Sequence, residues 1–297
     1  MPLYERVPVR NPNPVAQQTS AQERVLPRSQ RALRDLKPGT TRMMDALTQT
    51  IGTFDAGQTP LLIAIFLFAA IVKGFLGIGL PAASMAFLTL IMPPTEAIPL
   101  LWLSILATNS LQFIHAPNKL DIAREYWLFA LAIMVFIFAT SMFIADYPTA
   151  LLTVAIGFAM VIFSLNILLG IKLRIGPGRG WHLGFGALSG TLGGISSIWS
   201  PTVAMYLVAR DVSKERFIGA TGFLFLAGVL PLGAGQLVAG VLTLPVFIKS
   251  FFALLVVLVG FRIGELLRDR VSQELFRKAV LIAFLLMGLR LIYIGLT

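Results

Sequence analysis

The stretch HLGFGALSGTLGGISSIWSPTVAMYLVA, His182 to Ala209, decides the fold. It is long and apolar enough to cross a bilayer, yet its centre carries Gly193-Gly194, Ser196-Ser197 and Ser200-Pro201, all of which interrupt a helix. A membrane tolerates such a break only where protein or a water-filled cavity satisfies the freed backbone groups, so the break marks a binding site. The first apolar segment, 60–92, has the same punctuation in Lys73-Gly74, Gly77, Gly79 and Pro81. Two broken helices in corresponding places are the pattern of a transporter.

Composition agrees with a bilayer as the solvent. The 297 residues are 57% hydrophobic and 13% charged, with a mean hydropathy of +0.83; a soluble domain carries about 25% charge. The expected class is an all-α polytopic membrane protein. At roughly 20 residues per crossing, apolar runs fall near 60–92, 97–114, 126–145, 148–170, 182–209, 217–242, 244–267 and 279–296.

There is no cysteine, which excludes disulfides and thiolate chemistry. The two histidines, His115 and His182, sit at segment ends, which argues against an imidazole metal cage or a His-based triad deep in the membrane. No cofactor and no metal is implied. The net charge of +10 is gathered in the amino-terminal stretch and in short loops, the distribution of a membrane protein rather than of a nucleic-acid binder. Residues 1–58 are polar and basic and read as a largely disordered tail, with an interfacial helix over 31–54 as the alternative.

The rest of the chain divides into two copies, 59–170 and 182–297, joined by a loop at 171–181. Gly74-Phe75-Leu76-Gly77 parallels Gly190-Thr191-Leu192-Gly193, a proline follows in each, and Thr95-Glu96 and Ser213-Lys214-Glu215 then open the next span. Thr95 and Ser213 are candidate N-caps, each followed by a glutamate placed for the positive first turn. Lys and Arg crowd the loops near 119–124, 172–179, 210–216 and 268–278 and are missing from those near 93–98, 145–149 and 242–245. Placing every basic loop in the cytoplasm makes segment 182–209 dip in and return. The first segment, as its equivalent, does the same, and the repeats are then inverted. The side of the tail stays open, because re-entry would put basic residues 1–58 outside.

These motifs resemble the TauE/SafE family of sulfite exporters and sulfonate permeases, also called the toluene-sulfonate uptake permease family. The resemblance rests on AAIVKGFLGIGLP and Asn109-Ser110-Leu111-Gln112 in the first repeat. In the second it rests on GALSGTLGGISSIWSPTVAMYLVA with KERFIGATG, and on the closing VGFRIGELLRDRVSQELFRKAVLIAFLLMGLRLIY. It implies an inner-membrane carrier of a small sulfur-containing anion, with the bilayer and the anion as partners, no nucleic acid, and a homodimer left open. The family's usual glycine before its second proline pair is replaced by Ser200-Pro201-Thr202, so substrate preference does not carry over.

The candidate site is drawn from both breaks: Lys73, Gly77, Gly79, Pro81, Asn109 and Gln112 in one half, Gly194, Ser196, Ser197, Ser200, Pro201 and Thr202 in the other. Pro201 suits the first position of a helix and Ser200 its cap, which aims first-turn N–H groups and the positive end of the dipole at an oxyanion. Pro81 starts the matching half-helix, with Leu80 offering no capping oxygen. The competing account is that the glycines merely let helices pack closely, which leaves the prolines unexplained. Lys73 carries an insertion cost of at least ~2.5–3.5 kcal/mol and either faces the anion or snorkels to an interface. Asn109 and Gln112 share a helix face and serve either as amide donors to the anion or as interhelical bonds. No Asp or Glu lies mid-span, so coupling through a buried acid is unsupported and export of the anion is expected. An anion channel, an uptake permease and an intramembrane serine enzyme are the rival classes.

Overall fold

The computed structural model describes residues 58–170, 175–176, 178–267 and 273–297. The expected tail therefore lies, save Gln58, outside the described residues, as does part of the connecting loop. The first break forms where expected. Helix α1 (Thr59–Leu76) is closed by Gly77 at φ 81°, Gly79 at φ 102° caps the next helix, and α2 (Leu80–Leu88) starts with Pro81 in its first turn. Both glycines occupy the left-handed region that side chains resist. After α3 (Pro94–Leu100) and α4 (Trp102–Ile114) come α5 (Lys119–Ser141) and α6 (Thr149–Leu169).

The second half repeats the order. Helices α7 (Arg179–Ser196) and α8 (Ser200–Ala209) flank a break at residues 197–199, and α9 (Lys214–Val238), α10 (Leu244–Leu267) and α11 (Gln273–Leu296) follow. Ser213 caps α9 by accepting from the Arg216 N–H at 3.3 Å, as its sequence position predicts. Thr95 does not cap; α3 begins one residue earlier, at Pro94, whose fixed φ suits an opening turn.

Both broken segments turn back on themselves. In the second, Ser189 bonds Thr202 at 2.5 Å and the His182 and Tyr206 rings meet at 5.5 Å, pairing early α7 with late α8. In the first, Phe68 meets Phe87 edge-on at 5.6 Å. Among the described residues seven stretches are long and apolar enough to cross a membrane, including α1, and α3 with α4 taken together. Segment 182–209 is the expected hairpin, built of an 18-residue and a 10-residue helix.

Close approaches at glycines give the helix directions. A Cβ on Gly260 would meet Leu67 and Ala70, and one on Gly264 would meet Ile71 and Phe75, so α1 and α10 run parallel. Gly186, Gly190 and Gly194 step along α5 from Phe129 to Ser141 in the same sense, so α7 and α5 are also parallel. The equivalent helices α4 and α9 are antiparallel, Trp102 lying by Gly233 and Phe113 by Gly222. So are α6 and α11, where Gly157 meets Gly288 and Ala150 meets Gly295. Each hairpin thus packs on a helix of the other half, and matching helices run in opposite directions: an inverted repeat.

Tracing these directions puts the 115–118 and 210–213 turns, the α6–α7 helix ends and the α10–α11 helix ends at one end of the bundle. Lys119, Arg124, Arg179, Arg210, Lys214 and Arg216 lie at or beside these connections, and by the positive-inside rule that end is the cytoplasmic one. Gln58 lies at the other end, lining a cavity with Ile91, Met92 and Val241. The periphery is apolar, with Trp127, Val135, Phe143, Val238 and Leu286 exposed, as lipid contact demands.

Candidate functional site

Among the described residues, Lys73 is the only charged side chain that is buried, at 1% exposure. It does not snorkel. Its Nζ donates to Asn109 Oδ1 at 2.5 Å and stands 5.8 Å from the centroid of the Phe225 ring. The position follows from the fold: Lys73 lies one turn before the Gly77 break, where α1 is pressed against α10 by Gly74 and Gly264. Among the described residues no carboxylate joins it, so its amino group is held by one amide oxygen and a ring face, both weaker partners than an anion.

Asn109 turns its other end to Ile105 O at 2.7 Å. Gln112 is wholly engaged as a donor: Nε2 reaches Gly77 O and Ile218 O at 3.1 Å each and Thr221 Oγ1 at 3.3 Å. Its Oε1 is buried without a partner. Gln112 is therefore an interhelical tie among α4, α9 and the first break, and it presents an acceptor to any ligand. Because Gln112 lies in the last turn of α4, the first break sits toward the cytoplasmic end. A cavity of about 380 Å³ reaches Gly77 and Gln112 there, lined also by His115, Pro117, Glu215, Arg262 and Glu265.

At the second break the candidates separate into two groups. Ser196 Oγ donates to Leu192 O at 2.6 Å and accepts from the Ile198 N–H at 3.1 Å, and Thr202 is bonded to Ser189, so both serve the hairpin itself. Gly194 faces α5, where a Cβ would collide with Thr140 and Ile137, so its role here is close packing. Ser197 and Ser200 are different: each hydroxyl is buried and has no partner. Ser200 does not cap α8 as its position suggested. The helix starts at Ser200 itself, Trp199 stands in the cap position, and no side chain takes up the first-turn N–H groups. Pro81 and Pro201 do occupy the first turns of α2 and α8, neither of which has a side-chain cap.

Two residues were not singled out from the sequence. Trp199 Nε1 is a third buried donor without a partner at the second break. Phe225 on α9 packs edge-on against Trp199 at 5.7 Å while its face lies by Lys73, so the two breaks meet through it. Neither carries a sequence signal beyond being an aromatic residue in a span.

The arrangement is that of a polytopic membrane protein in which two inverted hairpins carry helix starts without side-chain caps. The family model for the sulfite exporter TauE/SafE matches residues 62–291, and the chain belongs to that family of membrane transporters for sulfur-containing anions. Comparisons with curated proteins and with solved structures returned no match.

Proposed function

We propose that the protein is a secondary carrier of the inner membrane that exports sulfite or a small organosulfonate such as sulfoacetate, held between the two broken helices near the bilayer midplane. The observation that carries this reading is Lys73, a buried lysine with no acid beside it among the described residues. An oxyanion entering from the cytoplasmic cavity passes Gly77 and Gln112 and finds Lys73 one turn deeper. The positive ends of α2 and α8 add partial charges of the same sign. The two repeats, 59–170 and 182–297, are interleaved, and their inverted pseudo-symmetry relates an inward-facing to an outward-facing arrangement of the site.

Direction follows from charge. Moving one charge through the membrane is worth about 2.3 kcal/mol per 100 mV, so an anion leaves a negative cytoplasm downhill. Concentrative uptake requires cotransported cations, and no buried carboxylate among the described residues supports binding them. His182 is not placed to serve as base for a serine enzyme: it stacks near Tyr126 at the start of α7, roughly 20 Å of helix from Ser197 at 1.5 Å per residue.

Counterflow of radiolabelled sulfite in proteoliposomes tests the reading. A carrier gives a saturable, transient accumulation of label driven by unlabelled sulfite on the opposite side. Flux that grows linearly with concentration and shows no counterflow assigns the protein to the channels instead.

A further inference from the structure

The two halves differ at the point where they should match. The helix caps align Gly77 with Ser197 and Gly79 with Trp199, four residues away from the register that the Gly74–Gly77 and Gly190–Gly193 motifs suggest; Pro81 then aligns with Pro201 and Lys73 with Gly193. In the second hairpin the Trp199 indole lies over Gly193, where a Cβ would come within 2.9 Å of Cε3. The ring fills the space that a side chain equivalent to Lys73 would use. One half therefore offers a buried cation, and the other a buried indole N–H.

That N–H is not alone. Ser197 Oγ, Trp199 Nε1 and Ser200 Oγ surround a single turn, belong to residues at most 3% exposed, and have no partner in the protein. Buried donors are ordinarily satisfied, and three orphans within four residues leave a cost that a ligand can relieve. An indole N–H donates only, so the missing partner must be an acceptor. The uncapped first turn of the ten-residue α8 offers N–H groups at the same place. Three unpartnered polar groups beside an uncapped helix start, with no cation among them, suit a sulfur oxyanion, which presents several acceptor oxygens.

Phe225 stands between this turn and Lys73, contacting both. The indole also borders Gly228 on α9, one turn farther from the cytoplasmic end than Phe225. The donor set thus lies on the outward side of the partition.

We propose that the second break is an uncharged oxyanion station built from Trp199, Ser197 and Ser200, and that Phe225 separates it from the cationic station at Lys73, so that an exported anion passes from one to the other. The proposal rests on the transport reading. It explains how an anion leaves a lysine in a dry interior: the second station competes for its oxygens without adding another charge to escape from.

The test uses the full chain labelled with ¹⁵N at the indole nitrogens, purified in detergent, and titrated with sodium sulfite without oxygen or with sodium chloride. Four tryptophans give four indole signals, and Trp199→Phe identifies one of them. Sulfite should move the Trp199 signal saturably, chloride should not, and Ser200→Ala should weaken the sulfite response at least fivefold. Ser197→Gly, which suits the φ of 58° at that turn, should do the same without straining the backbone. Trp199→Phe should retain Lys73-dependent binding by thermal shift while its transport rate falls at least tenfold. A Trp199 signal that stays fixed while sulfite binds through Lys73 overturns the second station and leaves the transport reading intact. Absence of sulfite binding by every readout overturns both.

Discussion

Lys73→Met removes the charge and keeps an unbranched side chain of similar length. Two stability effects oppose each other. Asn109 Oδ1 loses its donor, and a buried unpaired acceptor costs about 1–3 kcal/mol. The charge no longer has to be held in the membrane interior, which returns ~2.5–3.5 kcal/mol on insertion scales. The variant should therefore insert and fold with stability close to that of the parent. Binding has no such compensation. A hydrogen bond to a charged group contributes about 1.5–3 kcal/mol, so the dissociation constant for sulfite should rise about 10- to 150-fold. Equilibrium binding of radiolabelled sulfite to purified protein, with unfolding temperature followed in parallel, separates the two effects. An unchanged dissociation constant in a folded Lys73→Met protein would refute the assignment, and Lys73 would then be a packing residue tied to Asn109.

Gly74→Ala should force α1 from α10, since its Cβ meets the Phe261 carbonyl and Gly264; a loss of ~1–3 kcal/mol is expected from overpacking, read by thermal unfolding. Gly194→Ala should cost a similar amount against α5, whereas Gly180→Ala, with open space around it, should leave stability unchanged. Because the chain has no cysteine, single cysteines report topology cleanly. Lys119→Cys should react with an impermeant maleimide only from the cytoplasmic side, and Asp146→Cys and Gln58→Cys only from outside. Any of these reacting from the wrong side contradicts the hairpin topology.

Much of this fold is written in local chemistry. Helix-disfavouring residues clustered just before a proline favour a break, at Gly77 to Pro81 as at Ser197 to Pro201, which is why both breaks are readable to within a few residues. Re-entry is readable because Lys and Arg must stay on one side, and one hydrophobic segment between two basic loops can only go in and come back. The roles of individual candidates are another matter. Whether Gln112 faces a ligand or a carbonyl depends on where Ile218 and Thr221 of α9 arrive, and no spacing within α4 encodes that. Gly194 looks identical to a ligand-approach glycine until α5 is laid against it. Trp199 is a donor without an acceptor only because α9 and the hairpin bury it, a property of packing that its neighbours in sequence do not announce. Ser200 fails as a cap because α8 begins at that residue, a shift of one position that Pro201 permits.

The central claim is export of a sulfur anion driven by membrane potential. The most direct measurement is efflux of radiolabelled sulfite from proteoliposomes loaded with it, in oriented protein whose cytoplasmic face lines the lumen. An inside-negative potential set by a potassium gradient and valinomycin should accelerate efflux, and Lys73→Met should abolish the acceleration. Efflux indifferent to potential, together with accumulation driven by an imposed proton or sodium gradient, would contradict the claim.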